Sequence, residues 1–280
     1  MEKSLKSLLN EHGLMLKKAY GQNFLTDESL LSEIVEKAGV TDQDTVLEIG
    51  CGAGALTRHL AKKAKRVFGY EIDKRLVPVL NETLSGYKNV EIIFEDIMKQ
   101  DIKSVEKKLG DNYLLVANLP YYITTPIIMN FIEKAKNIKA MVIMVQEEVA
   151  YRLCANNGTT DYGAITVAIN LRGKGQIILN VPREKFTPPP KVDSAVVKID
   201  IDFDKFKGTD FNAVRNLVRC GFTSRRKTLV NNLINGLKIS RLDAEKALEQ
   251  CGISPLARAE DLSALDFVVL TEKLKIKGDK

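Results

Sequence analysis

The sequence has only two histidines and four cysteines in 280 residues, and neither type is spaced as a metal or disulfide framework requires. Cys51, Cys154, Cys220 and Cys251 are scattered and form no CxxC pair. Structural zinc sites and disulfide-stapled folds are built from closely spaced ligands, so this pattern argues against both, and we expect no metal. We interpret the four thiols as ordinary buried or half-exposed side chains in a reducing compartment.

Long apolar runs are also lacking. No run approaches the ~20 residues that a membrane-spanning helix needs. The first 22 residues are polar and amphipathic, without the apolar core of a secretion signal, and no internal repeat or low-complexity tract is present. We therefore expect a cytoplasmic protein with no membrane partner. A hydrophobic content of 45% is enough for a real core, and the length fits one large domain with a small one.

The charge is unevenly distributed along the chain. Residues 205–280 hold 15 Lys and Arg against 9 Asp and Glu, while residues 1–204 hold 27 of each. The whole net charge of +6 therefore belongs to the last quarter of the sequence. Such asymmetry is typical of a basic appendage that meets a polyanion, and it is equally compatible with a merely basic surface.

Helix-like and strand-like segments alternate from about residue 28 to about residue 150, which predicts a doubly wound, mainly parallel α/β sheet. Three runs, "AITVAINLR", "GQIILNVP" and "SAVVKIDI", are then predicted as strands, with a proline-rich loop before the last. From about residue 208 the pattern is helical, with Ser240 and Asp261 as expected helix starts. We therefore predict a large domain over residues 1–204 and a small all-α domain over residues 205–280.

The segment "TVLEIGCGAGALT" reads as a strand, a glycine-rich turn and a helix, the arrangement of a nucleotide half-site. Gly50, Gly52 and Gly54 allow the backbone to approach a ligand closely. Glu71 ends the next strand, 21 residues after Gly50, where a carboxylate can accept both ribose hydroxyls. Asp96 ends the third strand and is positioned to accept a hydrogen bond from an adenine amino group.

A dinucleotide site is the competing interpretation of this turn. Dinucleotide enzymes use G-x-G-x-x-G, with a helix N-terminus that receives the pyrophosphate. This chain has G-x-G-x-G instead, and the acidic Glu48 stands just before it. A carboxylate there repels pyrophosphate but suits a cationic, amino-bearing ligand. The balance therefore favours S-adenosylmethionine, which carries a sulfonium and an ammonium group.

With these motifs in place, the chain resembles the ribosomal RNA adenine N6,N6-dimethyltransferases over nearly its full length. The resemblance is carried, in the family's order, by "YGQNFL", "EIGCGAG", "YEID", "FEDI", "NLPYYIT", "FTPPPKVDSAVV" and "GFTSRRKTLVNNL". One departure is Cys51, which stands where the family often has proline. The resemblance implies the methyltransferase type of α/β fold and S-adenosyl-L-methionine as cofactor. It also implies transfer of methyl groups to two adjacent adenines in the 3′-terminal hairpin loop of small-subunit (16S) rRNA.

The resemblance further implies which residues line the cofactor site. Glu71 is expected to hold the ribose and Asp96 the adenine N6. Gln22 is a weaker candidate for the cofactor's amino-acid end. The full predicted set is Gln22, Asn23, Leu25, Glu48, Gly50, Gly52, Glu71, Ile72, Asp96, Ile97 and Asn118.

The stretch "NLPYYIT" ends a buried strand with an amide and aromatic rings. The Asn118 side-chain carbonyl and the Leu119 backbone carbonyl are expected to accept the two N6 hydrogens of adenine. Tyr121 is predicted to stack on the target base, with Phe186 on its other face. For Tyr122 we expect packing in the core.

The basic residues near the C-terminal helices predict phosphate contacts in RNA. Arginine and lysine cluster around "RCGFTSRRKTL", where "SRRK" reads as the start of a helix. The predicted RNA-binding set is Arg219, Arg225, Arg226 and Lys227, with Lys17 and Lys18 near the N-terminus. The expected partner is small-subunit rRNA in a 30S or pre-30S particle, and we expect the protein to be a monomer.

Three alternatives remain open at this point. The first is a relative that dimethylates large-subunit rRNA and confers macrolide resistance, although the basic "SRRKTL" segment favours the small subunit. The second is a non-catalytic ribosome-assembly factor on the same fold, against which Asn118, Glu71 and Asp96 argue. The third is a nicotinamide-dependent dehydrogenase, which the glycine spacing disfavours.

Overall fold

Seven strands form one sheet in the computed structural model, which describes residues 11–12 and 24–278. In chain order the strands are β1 Phe24–Leu25, β2 Thr45–Ile49, β3 Arg66–Tyr70, β4 Val90–Ile93, β5 Tyr113–Asn118, β6 Ile138–Gln146, β7 Gly173–Val181, β8 Phe186–Thr187 and β9 Ser194–Ile201. The sheet order is β4-β3-β2-β5-β6-β9-β7, and β1 pairs separately with β8. Strands β2 to β6 run parallel, whereas β9 is antiparallel to β6.

Helices follow most of these strands, as the alternating pattern predicts. They are α1 Glu28–Ala38, α2 Ala55–Lys63, α3 Val77–Thr83, α4 Ile102–Leu109, α5 Thr124–Lys134, α6 Glu147–Cys154, α7 Ala164–Arg172, α8 Phe211–Gly221, α9 Leu229–Leu237, α10 Arg241–Gln250 and α11 Ala264–Lys273. The mainly parallel α/β architecture confirms the predicted fold class, and the helical C-terminal region follows it in the chain.

Local sequence signals explain where helix α1 begins and ends. The Asp27 side chain accepts a hydrogen bond from the backbone N–H of Leu30 at 3.0 Å, which satisfies a donor that the first turn leaves unpaired. The helix ends at Gly39, whose φ of 76° lies in the left-handed region. Its apolar side chains are buried against the sheet at the spacing predicted for one helix face.

The parallel strands bring four polar side chains to one edge of the sheet. Strands β2, β3, β4 and β5 are neighbours, and each has a polar residue in its last two positions or within three residues of its end. These residues are Glu48, Glu71, Asp96 and Asn118. Because the carboxyl ends of parallel strands lie at the same edge, residues far apart in sequence become neighbours there.

Residues 164–172 correct one prediction. We expected "AITVAINLR" to be a strand, but it forms helix α7, which follows Gly163. The Thr166 hydroxyl accepts from the Gly163 N–H at 3.2 Å and donates to the Arg152 carbonyl at 2.6 Å. Val167 and Leu171 are buried among apolar side chains of the C-terminal helices. A helix buried on most of its surface shows no clear 3.6-residue pattern, so its β-branched residues were misleading.

The chain divides into two compact units. The first takes in the described residues as far as Ala150 together with Gln176–Ile201, and the second takes in Tyr151–Gly175 and the residues from Asp202 onward. The predicted boundary at residue 204 lies three residues after the break between Ile201 and Asp202. Residues 151–175, which we had placed in the first domain, belong to the second unit because α7 shares its apolar core.

The second unit is helical, and its helix starts test two further predictions. Ser240 caps α10 and accepts from the Asp243 N–H at 3.1 Å, as predicted. Asp261 was predicted as a helix start, but it ends a short 3-10 turn, and Ser263 caps α11 instead. Ser263 forms a capping box with Asp266, a reciprocal pair that satisfies the first turn's free donors.

Within the described residues, no helix is long and apolar enough to cross a membrane. In the same part of the chain, no group of three or more His, Cys, Asp and Glu side chains is arranged to hold a metal ion.

Candidate active site

A cavity of about 400 Å³ opens at the carboxyl ends of the parallel strands. This volume lies in the range of small-molecule and cofactor sites. Eleven residues predicted from the sequence line it: Leu25, Glu48, Gly50, Gly52, Glu71, Ile72, Asp96, Ile97, Asn118, Leu119 and Tyr121. The structure therefore brings together side chains that come from five separate segments of the chain.

The glycine-rich turn brings backbone close to the ligand space. The Gly50 N–H donates to the Tyr70 carbonyl at 2.8 Å, which joins the turn to the neighbouring strand β3. Gly52 has a φ of +56°, and a Cβ there would lie 2.9 Å from an atom of the Phe24 ring. Only glycine satisfies both the left-handed backbone and this close approach. Phe24, which covers the turn, is a lining residue that sequence reasoning had not singled out.

Glu71 is oriented by backbone donors on both of its carboxylate oxygens. Its Oε2 accepts from the Gly52 N–H at 2.9 Å, and its Oε1 accepts from the Asp73 N–H at 2.8 Å. Burial nevertheless raises the pKa of this carboxyl above its usual value. Each carboxylate oxygen accepts more than one hydrogen bond, so the fixed group retains capacity for two ligand hydroxyls.

Glu48 is the most deeply buried carboxyl of the cavity, with 1% of its surface exposed. Its Oε2 has no hydrogen-bond partner in the protein. Burial raises its pKa to about 8, and the negative charge of Glu71 adds to the shift. An unsatisfied buried carboxyl oxygen is costly. A cationic ligand in this cavity would relieve that cost, so the site fits an amino-bearing cofactor.

Asp96 lines the cavity three residues beyond the end of β4. Its Oδ1 accepts from the Met98 N–H at 3.0 Å and caps a short 3-10 turn. Its Oδ2 lies 3.9 Å from the Nζ of Lys99. Ile97 is buried and Ile72 is exposed, and both contribute apolar surface to the cavity wall.

Asn118 is the last residue of β5, beside Met144 of β6. Its backbone carbonyl oxygen lies 3.8 Å from the position that a Cβ on Gly50 would take, so the end of β5 faces the glycine turn. Leu119 follows and is buried. Asn118 and Leu119 therefore lie at the cavity next to the predicted cofactor loop.

Tyr121 is held in place by a residue that sequence reasoning missed. Its hydroxyl is 2.8 Å from the Oγ of Ser194, the first residue of β9. Ser194 is 1% exposed, and burial raises the pKa of Tyr121. Ser194 lies within the "FTPPPKVDSAVV" segment, but nothing in a linear sequence links it to a tyrosine 73 positions earlier.

Tyr122 contradicts the expectation that it packs in the core. Its side chain is 65% exposed, and it lines the cavity together with Tyr121. Residues 121–123 form a 3-10 turn, in which successive side chains point about 120° apart because there are three residues per turn. The two tyrosines therefore face different directions.

Phe186 also departs from its prediction. We expected it to cover a face of the target base, but its side chain is 3% exposed and packs in the core of the first unit. It pairs with Leu25 through the short antiparallel strands β1 and β8. An ion pair between Asp27 and Lys185 lies beside this pairing. These contacts turn the ring inward, and Phe186 does not line the cavity.

Comparisons with known proteins identify the family to which this site belongs. Residues 13–275 match the family described as ribosomal RNA adenine dimethylase. The chain belongs to this family. Among its relatives is a ribosomal RNA small subunit methyltransferase A from Bacillus licheniformis, 42% identical over 277 residues, covering 96% of this chain and 95% of the relative. The protein is therefore an S-adenosyl-L-methionine-dependent rRNA methyltransferase.

Two solved structures are also similar. A dimethyladenosine transferase from Plasmodium falciparum has a TM-score of 0.77 and 30% identity, covering 90% of this chain and 98% of its own. The 23S rRNA methyltransferase ErmE has a TM-score of 0.69 and 30% identity, covering 90% of this chain and 100% of its own. The adenine dimethylase fold thus extends over both units of this protein.

In this dimethylase, the predicted RNA-binding arginines and lysine do not form one uniform group. Helix α9 begins at Leu229 with Thr228 as its cap, so the "SRRK" residues form a turn before the helix rather than its first turn. Arg225 donates to the Thr160 and Tyr162 carbonyls at 2.5 and 2.9 Å. The Arg225 guanidinium therefore stabilises the second unit. Its predicted phosphate contact competes with these bonds.

The other predicted cations of the second unit are Arg219, Arg226 and Lys227, and all three side chains are exposed. They remain available for the phosphate contacts predicted from the sequence. Four predicted residues, Lys17, Lys18, Gln22 and Asn23, lie outside the described residues.

Proposed function

We propose that this dimethylase transfers methyl groups to N6 of two adjacent adenines in the 3′-terminal hairpin loop of small-subunit (16S) rRNA, giving N6,N6-dimethyladenosines. The observation that carries the proposal is Asn118 with Leu119 at the cavity, beside the glycine turn. The small-subunit methyltransferase relative, at 42% identity over 96% of the chain, supports the choice of RNA.

The cavity residues suggest how the cofactor is held. Glu71 is proposed to accept the ribose hydroxyls, since backbone donors already fix its carboxylate. Asp96 is proposed to accept from the adenine amino group, between the apolar side chains of Ile72 and Ile97. Glu48, with its unsatisfied oxygen, is proposed to face the cationic amino-acid end. Gly50 and Gly52 are proposed to let the backbone of the turn approach the cofactor closely.

The bound cofactor supplies an electrophilic methyl group on its sulfonium. The exocyclic amine of adenine is a poor nucleophile, because its lone pair is delocalised into the ring. The Asn118 Oδ1 and the Leu119 carbonyl are proposed to accept its two hydrogens and so orient the lone pair. A C–N bond forms as the S–C bond breaks, and the amine's proton then leaves to solvent. These hydrogen bonds strengthen as positive charge develops on nitrogen, which stabilises the transition state.

The RNA side of the proposal rests on stacking and charge. The Tyr121 ring, held by Ser194, is proposed to stack on the extruded target adenine. The exposed Arg219, Arg226 and Lys227 are proposed to contact phosphates, so affinity should fall with rising salt. The substrate is proposed to be rRNA within a 30S or pre-30S particle. We also propose that the protein acts in the cytoplasm and as a monomer.

The similarity to ErmE, a 23S rRNA methyltransferase, supports a second candidate, which is methylation of large-subunit rRNA. The two candidates share the cofactor site and the amine chemistry. They differ in the RNA that reaches the cavity. The higher identity to a small-subunit enzyme favours the first candidate.

A transfer assay with the purified protein separates the two candidates. Unmethylated 30S and 50S subunits are each incubated with radiolabelled S-adenosylmethionine, and the label in each rRNA is measured. We expect label in 30S subunits only. Primer extension then locates the methylated bases, because dimethyladenine blocks reverse transcriptase. Label in 50S subunits alone supports the second candidate, and a stop outside the 3′-terminal hairpin overturns the proposed position.

A further inference from the structure

The cavity mouth carries an aromatic ring that the proposed chemistry does not use. Tyr122 is 65% exposed and is one of several large apolar or aromatic side chains on the surface of the described residues. Single exposed apolar residues are common and carry no meaning alone. Tyr122 differs from an isolated surface residue because it lines the same cavity as Asn118 and Tyr121.

The ring stands on a rigid support. The Ile123 N–H donates to the Pro120 carbonyl at 3.1 Å, and the Thr124 hydroxyl donates to the same oxygen at 3.3 Å. The preceding Leu119 is buried. This turn fixes the backbone on both sides of Tyr122, so its exposure is built into the turn.

The two neighbouring tyrosines divide between the interior and the rim. Tyr121 is partly buried and bonded to Ser194, whereas Tyr122 projects from the next position of the 3-10 turn. A nucleic-acid strand that places one base in the cavity must break the stack between that base and its neighbour. The neighbour then has a free face beside the rim, where an exposed aromatic ring can replace the lost stack.

We propose that Tyr122 stacks on the nucleotide adjacent to the target adenine and thereby holds the RNA at the cavity mouth. This inference rests on the proposed function, in which the adjacent nucleotide is the second substrate adenine. Tyr122 is then a binding residue for the neighbouring base, while Tyr121 contacts the reacting base. Each adenine occupies the rim while the other occupies the cavity.

Kinetics of the Tyr122→Ala variant on unmethylated 30S subunits test the inference. Loss of one base–aromatic stack should raise KM for the subunits about tenfold, within the range for a single stacked base. The value of kcat should change less than twofold, and the Kd for S-adenosylhomocysteine should not change. Tyr122→Phe should behave as wild type, because stacking needs the ring and not the hydroxyl. Tyr151→Ala, which removes a 49% exposed tyrosine outside the cavity, is the matched control.

Subunits with altered rRNA identify the stacked base. Each of the two adenines is replaced in turn by uridine, which stacks less strongly. The penalty of Tyr122→Ala should shrink from about tenfold to threefold or less on both substrates, because each leaves a uridine at the rim when the remaining adenine occupies the cavity, and an undiminished penalty on both overturns the inference. Three other results overturn the inference. They are an unchanged KM for Tyr122→Ala, a raised Kd of Tyr122→Ala for S-adenosylhomocysteine, and a Tyr122→Phe variant as defective as Tyr122→Ala. If instead the wild-type protein leaves every 30S substrate unmethylated, the proposed function fails first.

Discussion

The buried carboxyl of Glu48 makes the stability of this protein depend on pH in a direction opposite to that of most carboxylates. Its pKa is raised from 4.5 to about 8 by burial and by the charge of Glu71. The unfolded chain therefore ionises this group near pH 4.5, whereas the folded protein keeps it protonated until about pH 8. The perturbation that isolates this effect is Glu48→Gln, which resembles the protonated form in shape and charge.

The size of this pH dependence follows from the number of protons that Glu48 binds in the folded and unfolded states. Between the two pKa values the folded protein binds one more proton than the unfolded chain, so its free energy of unfolding falls by about 1.4 kcal/mol per pH unit. The contribution is fully present below the unfolded pKa and is lost as pH rises to the folded pKa. From pH 5.5 to 7.5 the wild type should lose roughly 2–3 kcal/mol of stability relative to Glu48→Gln.

Urea unfolding of both proteins across this pH range measures the difference. Titrating groups distant from Glu48 are common to both proteins, so their contributions cancel in the comparison, whereas Glu71 is coupled to Glu48 and forms part of the measured difference. A parallel pH dependence for wild type and Glu48→Gln would refute the reasoning, because it would mean that Glu48 is already ionised in the folded protein. Equal urea m-values are required for the comparison to hold.

The same carboxyl predicts how cofactor binding responds to pH. If a cationic ligand faces Glu48, the bound state favours the carboxylate, and binding releases a proton below pH 8. The affinity for S-adenosylhomocysteine should then rise by up to about tenfold per pH unit below that value. Calorimetry in buffers of different ionisation enthalpy detects the released proton, and Glu48→Gln should release none.

Three further predictions concern the geometry of the cavity. Gly52→Ala should weaken S-adenosylhomocysteine binding at least about tenfold, as measured by calorimetry, because it strains the left-handed backbone and displaces the Phe24 ring. Gly110→Ala is the control: Gly110 also has a positive φ but has open space around it, so its substitution should lower stability without weakening binding. Asn118→Ala should lower kcat by about 10²- to 10³-fold, the typical loss of one transition-state hydrogen bond, and an unchanged kcat on 30S subunits contradicts the amine mechanism. Ser194→Ala and Tyr121→Phe should each lower kcat/KM by about fivefold, corresponding to ~1 kcal/mol for one hydrogen bond. The double variant should be no worse than either, and additive losses would show that the bond does not position the ring.

Much of the cavity could be predicted because parallel sheets follow a simple rule. Glu48, Glu71, Asp96 and Asn118 each stand at the end of a predicted strand, and four neighbouring parallel strands bring their ends to one edge. Glycine spacing located the turn between two of them. Local patterns and one topological rule were therefore sufficient for this part of the site.

The remaining features depend on tertiary contacts that no local pattern encodes. Ser194 reaches Tyr121 because β9 inserts antiparallel beside β6. Phe186 turns inward because β8 pairs with a segment near the N-terminus. Helix α7 looks like a strand in sequence because its burial removes the polar face that marks a helix. The direction of Tyr122 follows from a three-residue turn that is too short to predict from periodicity.

The pairing of β1 with β8 has a consequence for the synthesis of the protein. The ion pair beside it joins residues 158 positions apart, and the first unit is completed only by Gln176–Ile201. A chain that emerges from the ribosome N-terminus first cannot close this unit until its last strand has been made. The cofactor loop is translated early, yet Phe24 and Leu25 lack their partner strand until residue 187 is available. A nascent chain that stops before that point should carry the glycine turn without a finished binding site.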